Sequence, residues 1–433
     1  MTTLFNCSLW GDEAFSAVLA QRAFWPMIQI VAKDTSPPFF YIISWLWFQI
    51  FGSSEIAIRS LSFLFYLGTI YFIYLIAKEL FDKKAGIWAA FLSFFNPFLF
   101  LYAFEGRMYY CLLFFTVLSF YFLIKKNWVG YILATAAALY SHHFAFFPVM
   151  AQFLWQLTKI KKVNLKNTVK IIKPFSLIGL LYLPWVYPLY LQTSLVSTGF
   201  WLGKPKPKDL SSVFTHFLTG EIVWKTQVFI PLLAIITLLL RKWQKKKKSK
   251  DLFLWFWVLI PPLFTFLVSQ TKLSIFYERY LLYCIPPLMI LLASQLRKIS
   301  YLSLGTISVF YLLVSFQQFT HPFKKPFRPF TNWIKENVPS DAYLINYNGG
   351  AHHLWETKYY GLKAPLYAPG GSLPFFVGTA QMKTDDIIYH LPDKNTIGAI
   401  SSDSPNKVEV PGYQVVNSYQ QGPLYFIWLA KNN

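Results

Sequence analysis

The sequence predicts a mainly α-helical, polytopic membrane protein: a transmembrane bundle of about ten spans, followed by a small extracytoplasmic α/β domain. Of its 433 residues, 55% are hydrophobic and only 14% are charged, which is too apolar for a single soluble core. Apolar segments that approach the bilayer thickness recur between residues 56 and 316. We therefore divide the chain into an extracytoplasmic N-terminal loop with juxtamembrane helices (1–58), a transmembrane bundle (59–318) and an extracytoplasmic α/β domain (319–433).

Charged or polar breaks divide the apolar region into ten segments. Several are shorter than the roughly 20 residues of a straight span, so we expect them to extend into the interface or to line a cavity buried in protein. The predicted spans are residues 59–80, 85–104, 108–124, 128–141, 144–157, 174–191, 228–240, 252–268, 281–296 and 302–316.

Basic residues mark every second loop and so predict an orientation. Short loops rich in lysine and arginine stay in the cytoplasm. These loops carry Lys83-Lys84, Lys125-Lys126, the lysines of 159–173, those of 241–250, and Arg297-Lys298. The net charge of +21 is thus a topology signal with contacts to anionic membrane lipids, not the mark of a nucleic-acid partner. We expect a multi-pass protein of the plasma (inner) membrane whose remaining loops and C-terminal domain are extracytoplasmic.

The alternation of cytoplasmic and outer loops also places the N-terminal region. The segment Phe39–Phe51 is short and aromatic, and both of its ends lie on the outer side, which favours an interfacial or re-entrant helix over a span. Residues 1–36 are then extracytoplasmic, although they do not show the basic region and apolar run of a signal peptide or first anchor. Either a span upstream of this sequence is missing or the start codon is misassigned, and we favour a missing span.

Beyond residue 319, no apolar run is long enough to cross a membrane. Residues 329–338 have the pattern of an amphipathic helix. β-rich runs follow at 342–347, 396–400, 413–416 and 424–429. This mixture predicts the small α/β domain.

Two adjacent acids, Asp12 and Glu13, stand in an otherwise apolar N-terminal region. A carboxylate outside the membrane could act as a general base on a hydroxyl group. The structural alternative is a helix start with Asp12 as its N-cap, which spacing alone favours.

Further charged residues fall at the outer turns. Placing a charge in a membrane costs free energy, so such charges are usually paired or functional. Glu105 and Arg107 either form a surface ion pair at the lipid headgroups or belong to a functional site. Arginine suits phosphate because its planar fork donates two parallel hydrogen bonds, whereas a lone arginine more often snorkels to lipid. The candidates for substrate binding are Arg59, Glu105, Arg107, Tyr109, Arg279 and Tyr280.

His142 and His143 occupy another outer turn. Zinc would need further ligands that the sequence does not place, so hydrogen bonding at a cavity rim is the preferred role. The cysteines Cys7, Cys111 and Cys284 are far apart and predict neither a disulfide framework nor a metal site. We expect no metal and no cofactor.

Each of these motifs alone is common, but their order along the chain is specific enough to indicate a protein family. WGDEAFS is followed by DTSPPFFYIISWLWFQIFGSSEIAIR, NPFLFLYAFEGRMYY, ALYSHHFAFF and FYERYLLYCIPPLMILLA. This series, over residues 9–316, resembles the GT-C superfamily of membrane glycosyltransferases, and within it the family-39-like group of protein O-mannosyltransferases and bacterial aminoarabinose transferases.

The resemblance implies an inverting enzyme that takes a sugar from a polyprenyl-phosphate donor at the outer membrane face. It implies that Asp12 is the catalytic base and Glu13 its neighbour, and that Glu105 and Arg107 form the second outer acidic motif. Arg59 and Arg279 are then candidates for the lipid phosphate. The acceptor is a hydroxyl of a protein, a lipid or a cell-surface glycan.

This sequence departs from the family in having Ser36 before Pro37-Pro38, where many relatives have histidine or lysine. One expected phosphate contact is therefore absent or supplied elsewhere. Two other functions stay open: a GT-C-like polysaccharide ligase or polymerase, and a transporter. Transporters place charges near mid-membrane, often in repeated halves, whereas these charges lie at outer turns without a repeat.

Overall fold

The computed structural model describes residues 2–160, 165–220, 249–295, 301–347, 352–371 and 373–432. Most of them are helical, as the sequence predicts, and short 3-10 turns link several helices. The first nine helices are α1 Gly11–Ala20, α2 Phe24–Lys33, α3 Phe39–Phe51, α4 Glu55–Leu80, α5 Lys83–Phe94, α6 Pro97–Ala103, α7 Tyr109–Lys125, α8 Trp128–Ser141 and α9 Phe146–Leu157. They are followed by α10 Leu165–Tyr182, α11 Val186–Ser197, α12 Pro207–Thr219, α13 Ser249–Val268, α14 Ile285–Gln295, α15 Tyr301–Thr320, α16 Phe327–Asn337 and α17 His352–Tyr359.

The chain divides into two compact units. The helical unit contains Ser36–Phe40 and Arg59–Thr320. The other, which we call the terminal unit, combines Met1–Thr35, Tyr41–Ile58 and His321–Asn433. The N-terminal acidic motif and the C-terminal domain therefore fold as parts of one unit. The three-part division drawn from the sequence stays a prediction.

Among the described residues, three helices are long and apolar enough to cross a membrane: Glu55–Leu80, Thr168–Ser197 and Lys250–Val268. A fourth crossing is possible through α5 and α6, which are bent by 63° relative to each other. The predicted span 302–316 lies in α15, which has 20 residues, and the other described spans form shorter helices. The predicted span 228–240 lies outside the described residues. These apolar helices fit a multi-pass membrane protein.

The bend replaces the single span predicted for residues 85–104. Pro97 begins α6 because proline has no N–H to donate and suits a first helical turn. Asn96 caps that turn, since its side-chain oxygen accepts the N–H of Leu99 at 3.0 Å. Its amide nitrogen also donates to the carbonyl of Phe217 at 2.8 Å, which fixes the bend against α12.

Aromatic packing holds the helical unit together. α7 packs on α8, α9 on α13, and α5 on α14. Phe120 of α7 and Trp257 of α13 stack with ring centroids 3.7 Å apart. Large apolar side chains such as Leu133 and Leu313 remain exposed on the outside of their helices. A lipid environment would cover such side chains.

The C-terminal part of the terminal unit contains one six-stranded sheet in the order β3-β2-β1-β4-β6-β5. The strands from β3 to β4 are parallel, and β6 pairs antiparallel with both β4 and β5. The strands are β1 Leu344–Asn346, β2 Leu366–Tyr367, β3 Ile387–Ile388, β4 Thr396–Ser401, β5 Tyr413–Gln421 and β6 Leu424–Lys431.

Alternation along β6 produces two cores. Phe426 faces the cluster that includes Phe330 and Ile334 of α16, whereas Ile427 faces the cluster of Ile345 and Ile397. The predicted α/β domain is confirmed, and it also contains α17, β2 and β3, which the sequence patterns did not reveal.

Candidate active site

The acidic motif lies in the first turn of α1, in the terminal unit. The helix begins at Gly11, so Trp10 and not Asp12 occupies the N-cap position. Asp12 is partly exposed, whereas Glu13 is 0% exposed. Carboxylates in a first helical turn are stabilised by the positive end of the helix dipole.

Glu13 forms an ion pair with Lys324, which is 311 positions later in the sequence. Its Oε2 accepts a hydrogen bond from Lys324 Nζ at 2.8 Å, and the lysine side chain is only 4% exposed. The same oxygen lies 3.4 Å from the backbone N of Trp10. A buried carboxylate of this kind needs such a partner because both charges have lost their water.

A third carboxyl group, Glu356 of α17, belongs to the same cluster. It is 3% exposed and accepts a hydrogen bond from the backbone N–H of Gly11, the first residue of α1. Among the described residues, its Oε2 has no hydrogen-bond partner. Burial raises the pKa of Glu356 well above its ordinary value; the charges of Asp12 and Glu13 raise it further, while Lys325 and the Gly11 N–H oppose the shift.

Glu356→Gln is expected to change how stability depends on pH. The raised pKa favours the protonated form in the fold, so this stabilisation is complete below the ordinary pKa of 4.5 and is lost as pH rises through the folded value. Glutamine stays neutral and still accepts the Gly11 N–H. We expect the Tm of the variant to exceed that of the wild type increasingly as the pH rises above 4.5, the ordinary pKa of the carboxyl group.

Thermal unfolding at several pH values measures this effect. The matched control is Glu336→Gln, which removes an exposed carboxylate from α16. If both variants follow the wild-type pH profile in parallel, the buried Glu356 carboxyl is ionised in the fold and its assignment is wrong.

Lys325 forms a second polar group beside this cluster. Its Nζ donates to Ser402 Oγ at 2.6 Å and lies 3.4 Å from His353 Nε2, which is itself 3.0 Å from Ser402 Oγ. Sequence reasoning missed these residues, as it missed Lys324 and Glu356. The available signal was the adjacent pair Lys324-Lys325 directly before an amphipathic helix.

Further hydrogen bonds within the terminal unit hold the segment before α1. The backbone N of Leu9 donates to Tyr360 Oη at 2.8 Å, and that hydroxyl donates to Glu55 Oε1 at 3.0 Å. Arg328 reaches the same carboxylate at 3.3 Å and donates to the carbonyl of Asn6 at 2.9 Å. The acidic motif is therefore anchored on both sides by residues of the C-terminal domain.

In the helical unit, Arg279 lies among tyrosine rings. Its guanidinium is 5.5 Å from the ring centre of Tyr109, 4.8 Å from that of Tyr277 and 5.4 Å from that of Tyr280. Cation–π contacts of this kind hold the planar fork in place while leaving its N–H groups able to donate.

His142 joins this cluster at the end of α8. Its ring lies 5.0 Å from that of Tyr280, and it is within electrostatic range of both Arg107 and Arg279. Its Nδ1 accepts the backbone N–H of Phe144 at 3.1 Å, which leaves Nε2 as the nitrogen that can carry the proton. The structure thus brings together Arg107, Tyr109, His142, Arg279 and Tyr280, which we call the cationic cluster.

Glu105 and Arg107 form the tight turn between α6 and α7. The backbone N of Arg107 donates to the carbonyl of Glu105 at 2.7 Å, and Ser62 Oγ of α4 donates to the same carbonyl at 2.6 Å. Glu105 is largely buried. Arg59, one turn before Ser62 on α4, is fully buried.

His143 serves a different network from its neighbour. Its Nε2 lies 2.7 Å from Gln192 Oε1, an acceptor, and its Nδ1 lies 3.2 Å from Tyr182 Oη. Gln192 in turn donates to the carbonyl of Ser36 at 3.3 Å. The histidine motif therefore connects with the Ser36-Pro37-Pro38 motif through Gln192, a residue that sequence reasoning did not identify.

Glu278, which is next in sequence to Arg279 of the cationic cluster, forms a contact with a histidine. Glu278 Oε1 lies 3.2 Å from Nδ1 of His216 on α12. Among the described residues, no group of three or more His, Cys, Asp or Glu side chains could hold a metal ion.

Residues 35–189, a range that contains Glu105, Arg107, Tyr109, His142 and His143, match the family model of dolichyl-phosphate-mannose-protein mannosyltransferase. No curated protein matches the chain.

Solved structures of two proteins resemble this chain, one of them over nearly its whole length. ArnT from Cupriavidus metallidurans in the apo state is similar over 98% of this chain and 95% of that chain, with a TM-score of 0.69 and 12% identity. The same protein bound to undecaprenyl phosphate has a TM-score of 0.65 at 12% identity and the same coverage. The archaeal oligosaccharyltransferase AglB from Archaeoglobus fulgidus, in complex with an inhibitory peptide and a dolichol-phosphate, has a TM-score of 0.51 at 13% identity over 83% of this chain and 61% of that chain.

The chain therefore has the GT-C fold, the architecture of a class of polytopic membrane glycosyltransferases. Within that class it resembles the protein O-mannosyltransferase and aminoarabinose transferase type, so the resemblance predicted from the motifs is confirmed.

Proposed function

We propose that this chain is an inverting glycosyltransferase that moves a sugar from a polyprenyl-phosphate donor to an acceptor hydroxyl at the outer membrane face. The observation that carries the proposal is the GT-C fold over 98% of the chain together with the family match over residues 35–189. The sugar is mannose or a similar one, and the acceptor is a protein, a lipid or a cell-surface glycan.

The leaving group of this reaction does not need an acidic residue to protonate it. A phosphate leaves readily as an anion, so only one carboxylate is needed to accept the proton of the attacking hydroxyl. The acceptor oxygen bonds to the anomeric carbon on one face while the bond from that carbon to the phosphate oxygen breaks on the other. The products are an inverted glycoside and the polyprenyl phosphate.

Asp12 suits the role of base better than its neighbours. Glu13 is fully buried and neutralised by Lys324, and the pKa of Glu356 is raised by burial, so neither is a ready proton acceptor. Asp12 is partly exposed at the first turn of α1. Glu13 and Glu356 then position that turn: one through Lys324, the other through the N–H of Gly11.

The cationic cluster is our candidate for the donor phosphate. Arg107 and Arg279 are both close to His142, and the tyrosine rings hold Arg279. Positive groups fixed before the reaction stabilise the negative charge that develops on the departing phosphate. Arg59 remains a second candidate for this contact, and we assign His143 to orienting Gln192. This mechanism uses no metal and no cofactor.

Arg279→Gln is expected to weaken donor use. Hydrogen bonds to a charged group contribute about 1.5–3 kcal/mol, so kcat/KM for the donor falls by roughly 10- to 100-fold. Lys272→Gln, an exposed position in the same loop, is the control and should leave the kinetics unchanged. Equal kinetics for both variants would remove Arg279 from the phosphate site.

The overall proposal is tested with the purified chain in lipid vesicles and a series of polyprenyl-phosphate sugars. Sugar-dependent release of polyprenyl phosphate, measured by mass spectrometry, supports it. Comparison of surface glycans from cells with and without the gene then identifies the acceptor. Transport of the donor without cleavage would instead support the transporter alternative, and transfer of a preassembled polymer would support the ligase.

A further inference from the structure

A cavity of about 350 Å³ opens in the helical unit at the helix ends opposite to the cationic cluster. It is lined where α4, α7 and α9 end and where α8, α10 and α13 begin. The Glu105–Arg107 turn lies just before the first residue of α7, and the cavity lies at the last residues of that helix. The 17 residues of α7 span about 26 Å. The cavity therefore lies on the other side of the membrane from that turn.

Four lysines line this cavity: Lys126, Lys159, Lys170 and Lys250. None of its described lining residues is acidic. Lys125, by contrast, does not line it and pairs with Glu79 at 3.0 Å. Four ammonium groups around one space repel each other, so a bound anion would lower the free energy of this arrangement.

Contacts hold two of these exposed lysines, and burial partly dehydrates one of them. Lys250 Nζ donates to the carbonyl of Leu80 at the end of α4, at 2.7 Å. Lys159 Nζ lies 5.1 Å from the ring centre of Trp155. Burial lowers the pKa of Lys159, and the charge of Lys126 lowers it further. An anion beside both lysines would offset the second effect.

The remaining lining residues suit the headgroup region of a bilayer. Trp128 and Trp155 present indole rings at the helix ends, where tryptophan favours the membrane interface. Val129 and Val169, which are next in sequence to the lining residues Trp128 and Lys170, are 69% and 51% exposed. The site thus combines cations for a headgroup with an adjacent apolar surface for acyl chains.

We infer that this lysine-lined cavity binds the phosphate of an anionic glycerophospholipid headgroup. Its volume is within the range of about 300–1,000 Å³ that small-ligand pockets occupy. Basic pockets between membrane helices bind anionic headgroups in this way. A soluble phosphate shares the same chemistry, but the neighbouring exposed valines favour the lipid.

The test is the affinity of the full chain in neutral detergent for dioleoyl phosphatidylglycerol, measured by native mass spectrometry. The test variant is Lys126→Gln with Lys159→Gln. The control is Lys83→Gln with Lys84→Gln, which removes the same charge from exposed positions at the start of α5 on the same side. Each lysine near a charged surface contributes about 1 kcal/mol, so the test variant should bind about thirty-fold more weakly, whereas the control should bind like the wild type.

Two further arms decide the ligand. Phosphatidylcholine should bind all proteins weakly, and inorganic phosphate should not displace phosphatidylglycerol at equal concentration. Lys170→Glu, a charge reversal at an exposed position of α10, provides a second variant that keeps the other three lysines and should also weaken binding. The inference is overturned if the test and control variants lose the same affinity for phosphatidylglycerol. It is also overturned if inorganic phosphate displaces this lipid, or if the Lys170 variant binds it as tightly as the wild type.

Discussion

Replacing Asp12 with asparagine is expected to reduce sugar transfer by about 10²- to 10⁴-fold, the usual contribution of a positioned general base. The amide has nearly the shape of the carboxylate but cannot accept the proton of the acceptor hydroxyl. Because Asp12 is partly exposed in the first turn of α1, folding should be retained. The measurement is the initial rate of polyprenyl-phosphate release at saturating donor and acceptor.

The control for this variant is Asp341→Asn, an exposed aspartate in the C-terminal part of the terminal unit. It should transfer sugar at the wild-type rate. Donor binding by the Asp12 variant should also be preserved, because the phosphate contacts are assigned to other residues. A transfer rate near that of the control would show that Asp12 is not the base.

Lys324→Met is expected to have the largest effect on stability. It removes the ammonium group that pairs with Glu13, whose carboxylate side chain is fully buried. Breaking one side of a buried pair destabilises by about 3–5 kcal/mol. Because Glu13 lies next to Asp12, transfer should fall as well. Thermal unfolding and the transfer rate measure the two effects.

A double-mutant cycle separates the ion pair from other roles of the lysine. Adding Glu13→Gln to Lys324→Met removes both charges and should recover most of the lost stability. Lys324→Arg keeps the charge and should recover part of it, whereas the exposed control Lys407→Met should change nothing. Additive losses in the double variant would contradict a coupled pair.

Much of the fold could be predicted because it depends on local composition. A helix satisfies its own backbone hydrogen bonds, so an apolar segment of sufficient length predicts a membrane helix without knowledge of its neighbours. The strands β4 and β6 were predicted for a similar reason, since their apolar residues are concentrated in short runs. The bend at Asn96-Pro97 was missed because Asn96 acts through contacts on other helices.

The candidate site was predicted only in part. Asp12, Glu105 and Arg279 stood out as charges beside apolar segments, and the order of their motifs carried the family resemblance. Gln192 did not stand out, because its importance comes from His143 and Ser36, which are far from it in sequence. Lys324 and Glu356 looked like ordinary surface charges of a separate domain.

The sequence by itself determined the class of protein: a chain of apolar helices, basic loops that alternate with acidic and aromatic turns, and a terminal α/β domain. Hydrophobicity and charge are properties of each segment, and they carry these conclusions without coordinates. Only the tertiary structure decided that the acidic motif and the C-terminal domain form one unit, in which Lys324 neutralises Glu13 and Glu356 receives the N–H of Gly11. Those contacts depend on burial and on distances of about 3 Å between residues more than 300 positions apart, which no local pattern encodes.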